Sequence, residues 1–530
     1  MRRIHRLLLV VVLSSLFALS HAPSDTTAQV RDGPGDASSD FNGDGYSDLA
    51  LGVPRENVEG LHDVGAINIL YGAAAGLTSG GNQLWHEDAP GVPEVGEPSD
   101  LWGFSLAAAD FDGDGYDDLA VGAPFEDVGP VSNGGAVTIL FGSSAGLSSE
   151  GAQLWTQDSA GVSGASDAGD QFGSAMAAGD LNADGLADLV VGVHREDLAE
   201  ARNAGAVVIL TGASGGLSGE GSARWTQGRR GIEDSPERGD GFGTSIASAD
   251  LNGDGFGDLV VGAPSEDVSA ESDAGLVHVL YGSSSGPSSE GDDAFTQDSP
   301  GMGDVGEAGD EFGGTLAAGD LNGDGRADLV VGAFLEDFSH LGDAGAINVL
   351  MGTTAGAVPA ASSFWDQNEE GVPGTAGAAD AFGKALAIGD VDGDGYADLA
   401  VAARYDDEAG PDASGAVDVL YGSPAAPSAA RAQLWTQDSI GVRGVAEERD
   451  HFGSVLSIAH HAAGGPAQLA VGVHFEEVGG IALAGALNVL RGSDSGLTGS
   501  GSQLWTQDSP GVLEEVDDND FLPFALAGAG

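Results

Sequence analysis

The sequence predicts an all-β fold: a seven-bladed β-propeller of four-stranded antiparallel blades, closed by the C-terminal strand. Three observations carry this reading. The motif Asp-x-Asn/Asp-x-Asp-Gly-x-x-Asp begins at residues 40, 110, 180, 250, 320 and 390, always 70 residues apart, and a degenerate seventh copy begins at 460. Each period holds four short apolar stretches bounded by Gly, Asn and Asp, without helical spacing. Seven periods run from Asp40 to Ala529, so the chain ends in the register where its first loop began.

The N-terminus is set apart from the repeats. Arg2, Arg3, His5 and Arg6 precede the stretch Leu7 to Leu19, which is apolar except for Ser14 and Ser15 and too short to span a bilayer comfortably. Residues 1–28 are expected to be a secretion signal, cleaved after Ser20, Ala22 or Ala28, with Arg2 and Arg3 a hint of twin-arginine export. Residues 29–39 form a short linker, and 40–530 the propeller.

The third copy shows the expected blade. Phe172 to Ala178 reads as a strand of small and apolar residues, followed by the acidic loop Asp180 to Asp188. Leu189 to Val193 is a second strand, Gly205 to Leu210 a third, and Ala223 to Gln227, after the turn Gly215-Gly216-Leu217, a more polar fourth. Strands two and three are almost wholly apolar, which suits a sheet covered on both faces. One blade alone cannot achieve that, whereas seven packed face to face around an axis can. The segment before Asp40 lacks a first strand, and Leu522 to Ala529 is expected to supply it.

The acidic loops are candidate calcium sites. Calcium takes six to eight oxygens in flexible geometry, and side-chain oxygens at loop positions 1, 3, 5 and 9 with a backbone carbonyl at 7 supply most of them. Those residues are Asp40, Asn42, Asp44, Tyr46 and Asp48 in loop one, and Asp110, Asp112, Asp114, Tyr116 and Asp118 in loop two. Loop three offers Asp180, Asn182, Asp184, Leu186 and Asp188; loop four offers Asp250, Asn252, Asp254, Phe256 and Asp258. Loop five has Asp320, Asn322, Asp324, Arg326 and Asp328, and loop six has Asp390, Asp392, Asp394, Tyr396 and Asp398. Gly45 permits the sharp turn that folds the first set onto one centre. Leu51, Val121 and Val191 stand where an EF-hand needs Glu, and a strand follows in place of a helix.

About six Ca2+ ions are therefore expected, the tightest in loops two and six, where Asp112 and Asp392 bring the carboxylates to four. With a dissociation constant of ~0.1 mM, a site at about millimolar calcium gains ~1.4 kcal/mol, so six gain on the order of 8 kcal/mol. In the seventh copy His460, Ala462, Gly464 and Gln468 replace the ligands. That blade is expected to fold without calcium, with His460 and His461 a solvated surface pair.

Composition narrows the function. A net charge of −65 leaves no basic face for nucleic acid and disfavours unaided binding to anionic lipid. Cysteine is absent, so no disulfide forms, and Lys384 is the single lysine. No stretch beyond the leader is apolar enough for a membrane helix, so no membrane insertion is expected. The protein is expected to be a monomer, secreted to the extracellular space or held in a periplasm or at a cell surface.

Phe-Gly before the loop and Gly-Ala-Pro after it, as in Phe242-Gly243 with Gly262-Ala263-Pro264, resemble the FG-GAP repeat of integrin alpha-chain propellers. The lack of cysteine and linkers such as Trp505-Thr506-Gln507-Asp508-Ser509-Pro510-Gly511-Val512 are more similar to bacterial secreted FG-GAP proteins. No inserted ligand-binding domain interrupts any copy. The resemblance implies a protein or glycan partner docking on the face opposite the calcium loops.

Other recurring residues have plainer readings. Trp85, Trp155, Trp225, Trp365, Trp435 and Trp505, with Phe295 completing the set, are expected to pack between blades rather than to bind sugars. Glu56, Glu126, Glu196, Glu266, Glu336, Asp406 and Glu476 are expected to form a solvated acidic rim on the opposite face. Arg195, Arg229, Arg230, Arg404, His194 and His474 make a few positive points on it.

The leading function is a secreted, calcium-stabilised binding or adhesion module. The alternatives are an extracellular hydrolase or lyase acting on glycan or lipid through blade-specific residues, and a passive structural subunit of a surface assembly. No nucleophile elbow, zinc signature or phosphate loop is present, so no catalytic residue is assigned.

Overall fold

A computed structural model describes residues 39–527, except 59, 200, 230, 233, 339, 408, 409, 426 and 514–519. The expected signal segment, nearly all of the linker and Arg230 lie outside the described residues.

The chain forms 28 strands in seven four-stranded sheets, each antiparallel throughout. Six sheets take four consecutive strands. The seventh joins Leu49–Val53, Ala66–Tyr71 and Thr78–Trp85 to the last strand, Ala525–Ala527, with Ala50 opposite Ala527 and Gly52 opposite Ala525. This is the expected closure by the C-terminus; the strand begins at Ala525 rather than Leu522, and residues 528 and 529 of the expected segment lie outside the described residues. Around the axis, the first strand of each blade packs against the first strand of the next, and the series closes on itself.

In the third blade the strands are Met176–Gly179, Asp188–Val193, Ala206–Ala213 and Gly216–Trp225. The first is shorter than its sequence suggests because Gly173, at φ 88°, and the residues beside it form the turn that enters the blade. The fourth is longer. It begins at Gly216 itself, after a tight turn whose φ of 95° glycine adopts without strain, and Gln227 falls beyond its end.

Seven hydrophobic clusters each join two adjacent blades. Between blades two and three, Ala120, Val137 and Ile139 meet Phe172, Val191 and Val208. Across the closure, Leu49 and Leu51 meet Ala470 and Leu487. A fully buried side chain of this kind stabilises the fold by roughly 2 kcal/mol, so the blade interfaces supply the main cohesion of the ring. Each recurring Trp, and Phe295, packs against one of these clusters, as the sequence predicts.

The glycine tags meet at the same interfaces. A Cβ on Gly192 would come within 2.5 Å of the Gly243 carbonyl oxygen of the next blade. Any side chain there would push the blades apart. Among the described residues no helix crosses or could cross a membrane.

Candidate metal centres and the opposite face

The acidic loops precede the second strand of each blade and share one end of the ring. In loop one the Asp40 carboxylate accepts from the amides of Asp44 at 3.0 Å and Gly45 at 2.8 Å. Asn42 Oδ1 accepts from Asp44 N at 2.9 Å, and Asp44 Oδ1 from Tyr46 N at 3.1 Å. Asp48 takes Phe41 N and Gly72 N, both at 2.9 Å. Backbone amides thus fix the orientation of every oxygen-bearing side chain while leaving lone pairs for an ion.

Position 9 is the buried anchor. Asp48, Asp118, Asp188, Asp258, Asp328 and Asp398 are each at most 1% exposed. Burial, with the neighbouring loop aspartates, pushes Asp48 and Asp118 up to about 8 and Asp258, Asp328 and Asp398 up to about 7. Such carboxylates are costly to ionise without a compensating cation.

In loops two and six the carboxylates at positions 1, 3 and 9 converge: one oxygen each from Asp110, Asp112 and Asp118, and from Asp390, Asp392 and Asp398, lie within 4.8 Å of one another. In loops three and five the amide of Asn182 or Asn322 lies 3.3 Å from the buried Asp188 or Asp328. This donor set of hard oxygens fits a divalent cation.

Loop six differs from loop two in a way the spacing does not reveal. Arg431 reaches across from the fourth strand, its Nη2 lying 2.5 Å from Asp392 and 3.7 Å from Asp394, and its guanidinium lies 4.6 Å from the ring centre of Tyr421. A side-chain cation therefore already pairs with that site. Arg326, at position 7 of loop five, pairs in the same way with Asp324.

The loops also hold one another. In each, the amide at position 8 donates to the position-1 carbonyl of the preceding loop, from Asp117 N to Asp40 O at 3.2 Å round to Ser47 N to His460 O at 2.9 Å. The seventh copy keeps its place in this chain despite lacking acidic ligands. His461 is not solvated, contrary to expectation. It is fully buried, its Nδ1 2.7 Å from the Ser47 carbonyl, and burial pushes its pKa down to about 4.

The expected solvated rim on the opposite face is also corrected. All but Glu476 of its seven acids are buried, and Glu476 is half-buried. At six blade junctions the Gln of the linker donates Nε2 to the acid of the next blade: Gln157 to Glu196, Gln227 to Glu266, Gln297 to Glu336, Gln367 to Asp406, Gln437 to Glu476 and Gln507 to Glu56. Seven aspartates at the same spacing, one per repeat, escape the sequence reading: those at 100, 170, 240, 310, 380, 450 and 520, buried at 3% exposure or less. Their signal was that 70-residue spacing. Burial and the adjoining acids push Glu266 up to about 8 and Glu336 up to about 9.

On that face, residues beside the first strands and after the second strands surround the axis, and they vary between blades. An unbroken series of ring contacts runs from Tyr405 through His451 at 4.8 Å, Phe475 at 4.5 Å and Phe521 at 5.1 Å, and a branch from Phe475 to His474 at 6.4 Å continues through Phe524 and Phe104 to Phe125. Arg55 lies over Phe521, Arg404 over Tyr405 and Lys384 over Phe334. The corresponding places in blades three and four hold Ser174, Arg195, Thr244 and Ser265.

Comparison with known proteins agrees with this architecture. The FG-GAP repeat family matches residues 33–70, 102–140, 172–210, 242–280, 312–350 and 382–420. The phosphatidylinositol-glycan-specific phospholipase D of Rattus norvegicus is 36% identical over 155 residues, 29% of this chain and 17% of that protein. Integrin alpha-PS2 of Drosophila melanogaster is 30% identical over 241 residues, 44% of this chain and 15% of that protein. The alignments thus span under a fifth of the length of these curated relatives. Among solved structures, an exotype rhamnogalacturonan lyase, YesX, matches at a TM-score of 0.35 and 12% identity, covering 84% of this chain and 60% of that one. Six matched repeats set in a closed ring of seven four-stranded blades make this chain an integrin-alpha-like FG-GAP propeller.

Proposed function

We propose that the protein is a secreted, calcium-stabilised propeller that binds a protein or glycan at the face opposite the acidic loops. The observation that carries this reading is the division of labour between the two ends. One end repeats the same oxygen cage six times, with a buried carboxylate in each. The other gathers aromatic and cationic side chains from blades six, seven, one and two around the axis and leaves the remaining blades different.

In the proposed holoprotein the six loops hold calcium through Asp, Asn and backbone oxygens, and the ion supplies the positive charge that their buried aspartates lack. The chain's own residues orient the ligands through the amide bonds described above. At the axis, flat aromatic faces suit a sugar ring or an apolar side chain, and Arg55, Arg404 and Lys384 suit a carboxylate on the same ligand. An adhesive role outside the cell accords with the resemblance to integrin alpha chains.

A glycan array and a pull-down from the producing cell's surface, each with and without chelator, test the reading. Specific capture that requires calcium, and that is lost in Tyr405→Ala or Arg55→Ala with the calcium count intact, supports it. Capture of nothing in either format, or turnover of a screened glycan or lipid that depends on one blade's residues, would replace it with the structural or enzymatic alternative.

A further inference from the structure

We infer that a seventh divalent-cation site lies on the face away from the repeated loops, at the junction of blades one and two, formed by Glu87, Asp100 and Glu126. The inference starts from a single break in symmetry. At the six other junctions a linker Gln donates its amide to the Oε2 or Oδ2 atom of the next blade's acid, at 2.5 to 2.9 Å in five of them. At this junction the Gln is replaced by Glu87, which as a carboxylate has no hydrogen to give.

The consequence is visible in the partners. Glu126 Oε2, equivalent to the atom that accepts the amide in the other blades, is buried and has no hydrogen bond. Glu87 Oε2 is likewise buried without a partner, and Glu87 as a whole is only 1% exposed. One carboxylate oxygen from each of Glu87, Asp100 and Glu126 lies within 4.8 Å of the others. Two oxygens bound to one calcium at about 2.4 Å lie no more than about 4.8 Å apart, so all three can share an ion.

The surroundings favour a cation. Asp100 and Glu126 share a side-chain hydrogen bond, and the other charged groups that act on these three are Asp88, Glu94, Glu97 and Asp127, all acidic, so among the described residues no cationic side chain compensates the cluster. Burial and mutual repulsion hold Glu87 and Glu126 far above the ordinary carboxylate range, a direction that a bound divalent ion would reverse. A comparable cluster, Glu307, Asp310 and Glu336, lacks the decisive feature, because Gln297 still donates to Glu336 and Glu307 is exposed. Hard oxygen ligands without His or Cys specify calcium or a similar hard cation over zinc or copper.

The test is a count of bound ions on the full chain by equilibrium dialysis with calcium, for the natural protein and for Glu87→Gln. The substitution installs the amide found at every other junction, so the variant should fold and should melt higher than the natural protein in chelator. The expected result is one ion fewer per chain in Glu87→Gln, with the remaining ions unchanged in affinity. Glu126→Gln should lose the same ion, and Asp118→Asn, in loop two, a different one, so that the double variant Glu87→Gln/Asp118→Asn loses two. Equal counts for the natural protein and Glu87→Gln would overturn the site while leaving the six loops untouched. A melting temperature in chelator that Glu87→Gln does not raise would also count against it, since the carboxylates would then need no compensation.

Discussion

The two ends of the ring use one repeat in opposite ways. At the loop end, position 1 is Asp, position 5 is Asp and position 9 is Asp in all six acidic copies, and only position 3 alternates between Asn and Asp. At the other end, the residues flanking the axis change from Tyr405 to Phe475 to Arg55 to Phe125 to Arg195 to Ser265 as the blades succeed one another. Uniformity marks the end where every copy must solve the same electrostatic problem. Variation marks the end free to take on a surface chemistry of its own, and the buried Gln–acid pairs beneath it let that surface vary without loosening the blade junctions.

The strongest challenge to this contrast is removal of calcium. Chelation is expected to lower stability by on the order of 8 kcal/mol, or about 8 °C in melting temperature for a ring of this size, whereas substitutions at the axis should not. Differential scanning calorimetry with and without chelator measures it, and an unchanged melting temperature would dissolve the distinction between the ends.

A single rim carboxylate comes next. Asp118→Ala removes a proposed ligand and two acceptor bonds, to Phe111 N at 3.0 Å and Gly142 N at 2.9 Å, and should cost about 3 kcal/mol in calcium by denaturant unfolding. Loop six offers a sharper version. Arg431→Gly, which restores the glycine found at the equivalent places 81, 151, 221, 291 and 501, should raise its calcium affinity about tenfold by removing a competing cation. Titration calorimetry that finds no gain would mean Arg431 and the ion coexist.

Acidity probes the opposite end. Glu266 and Glu336 have folded pKa values raised to about 8 and about 9, so the folded chain keeps protons that the unfolded chain releases near pH 4.5. Their contribution is complete below that unfolded value and disappears as pH rises through 8 and 9. In chelator the melting temperature should therefore fall between pH 7 and pH 9, and because Asp48 and Asp118 titrate in the same range, the share that belongs to this end is the part of the fall that Glu266→Gln and Glu336→Gln remove. A flat profile there would mean the junction acids are ionised in the folded ring. Smallest of all, Tyr405→Ala should change stability by less than about 1 kcal/mol, because the ring is 37% exposed, while abolishing capture of the ligand.

Most of the architecture was legible because a period of 70 residues carries strands, loops and closure together. The position-9 aspartates could be singled out from spacing alone, and the structure adds that they are buried, which makes their ionised form costly without a compensating cation. Arg431 escaped notice because its partner Asp392 lies 39 residues away and becomes a neighbour only when the fourth strand folds back. His461 was misread for the same reason, since its carbonyl partner is 414 residues distant across the closure. The acidic ring was identified but placed in solvent, because the linker glutamines that cover it were counted as linker. The axial aromatics could not be assembled at all without the ring, for Phe104 and Phe524 meet only once the chain's ends are joined.

The circular hydrogen-bond relay among the loops ties each position-1 aspartate to two tasks, since its carboxylate holds its own loop's amides and its carbonyl receives the next loop's amide. A vacancy in one cage would therefore be felt by its neighbour, and the rim would resist or yield as a hoop rather than as seven separate beads. Because His460 sits in that hoop without an acidic cage, the clasp it makes with Ser47 across the closure is the one link that owes nothing to carboxylates of its own loop.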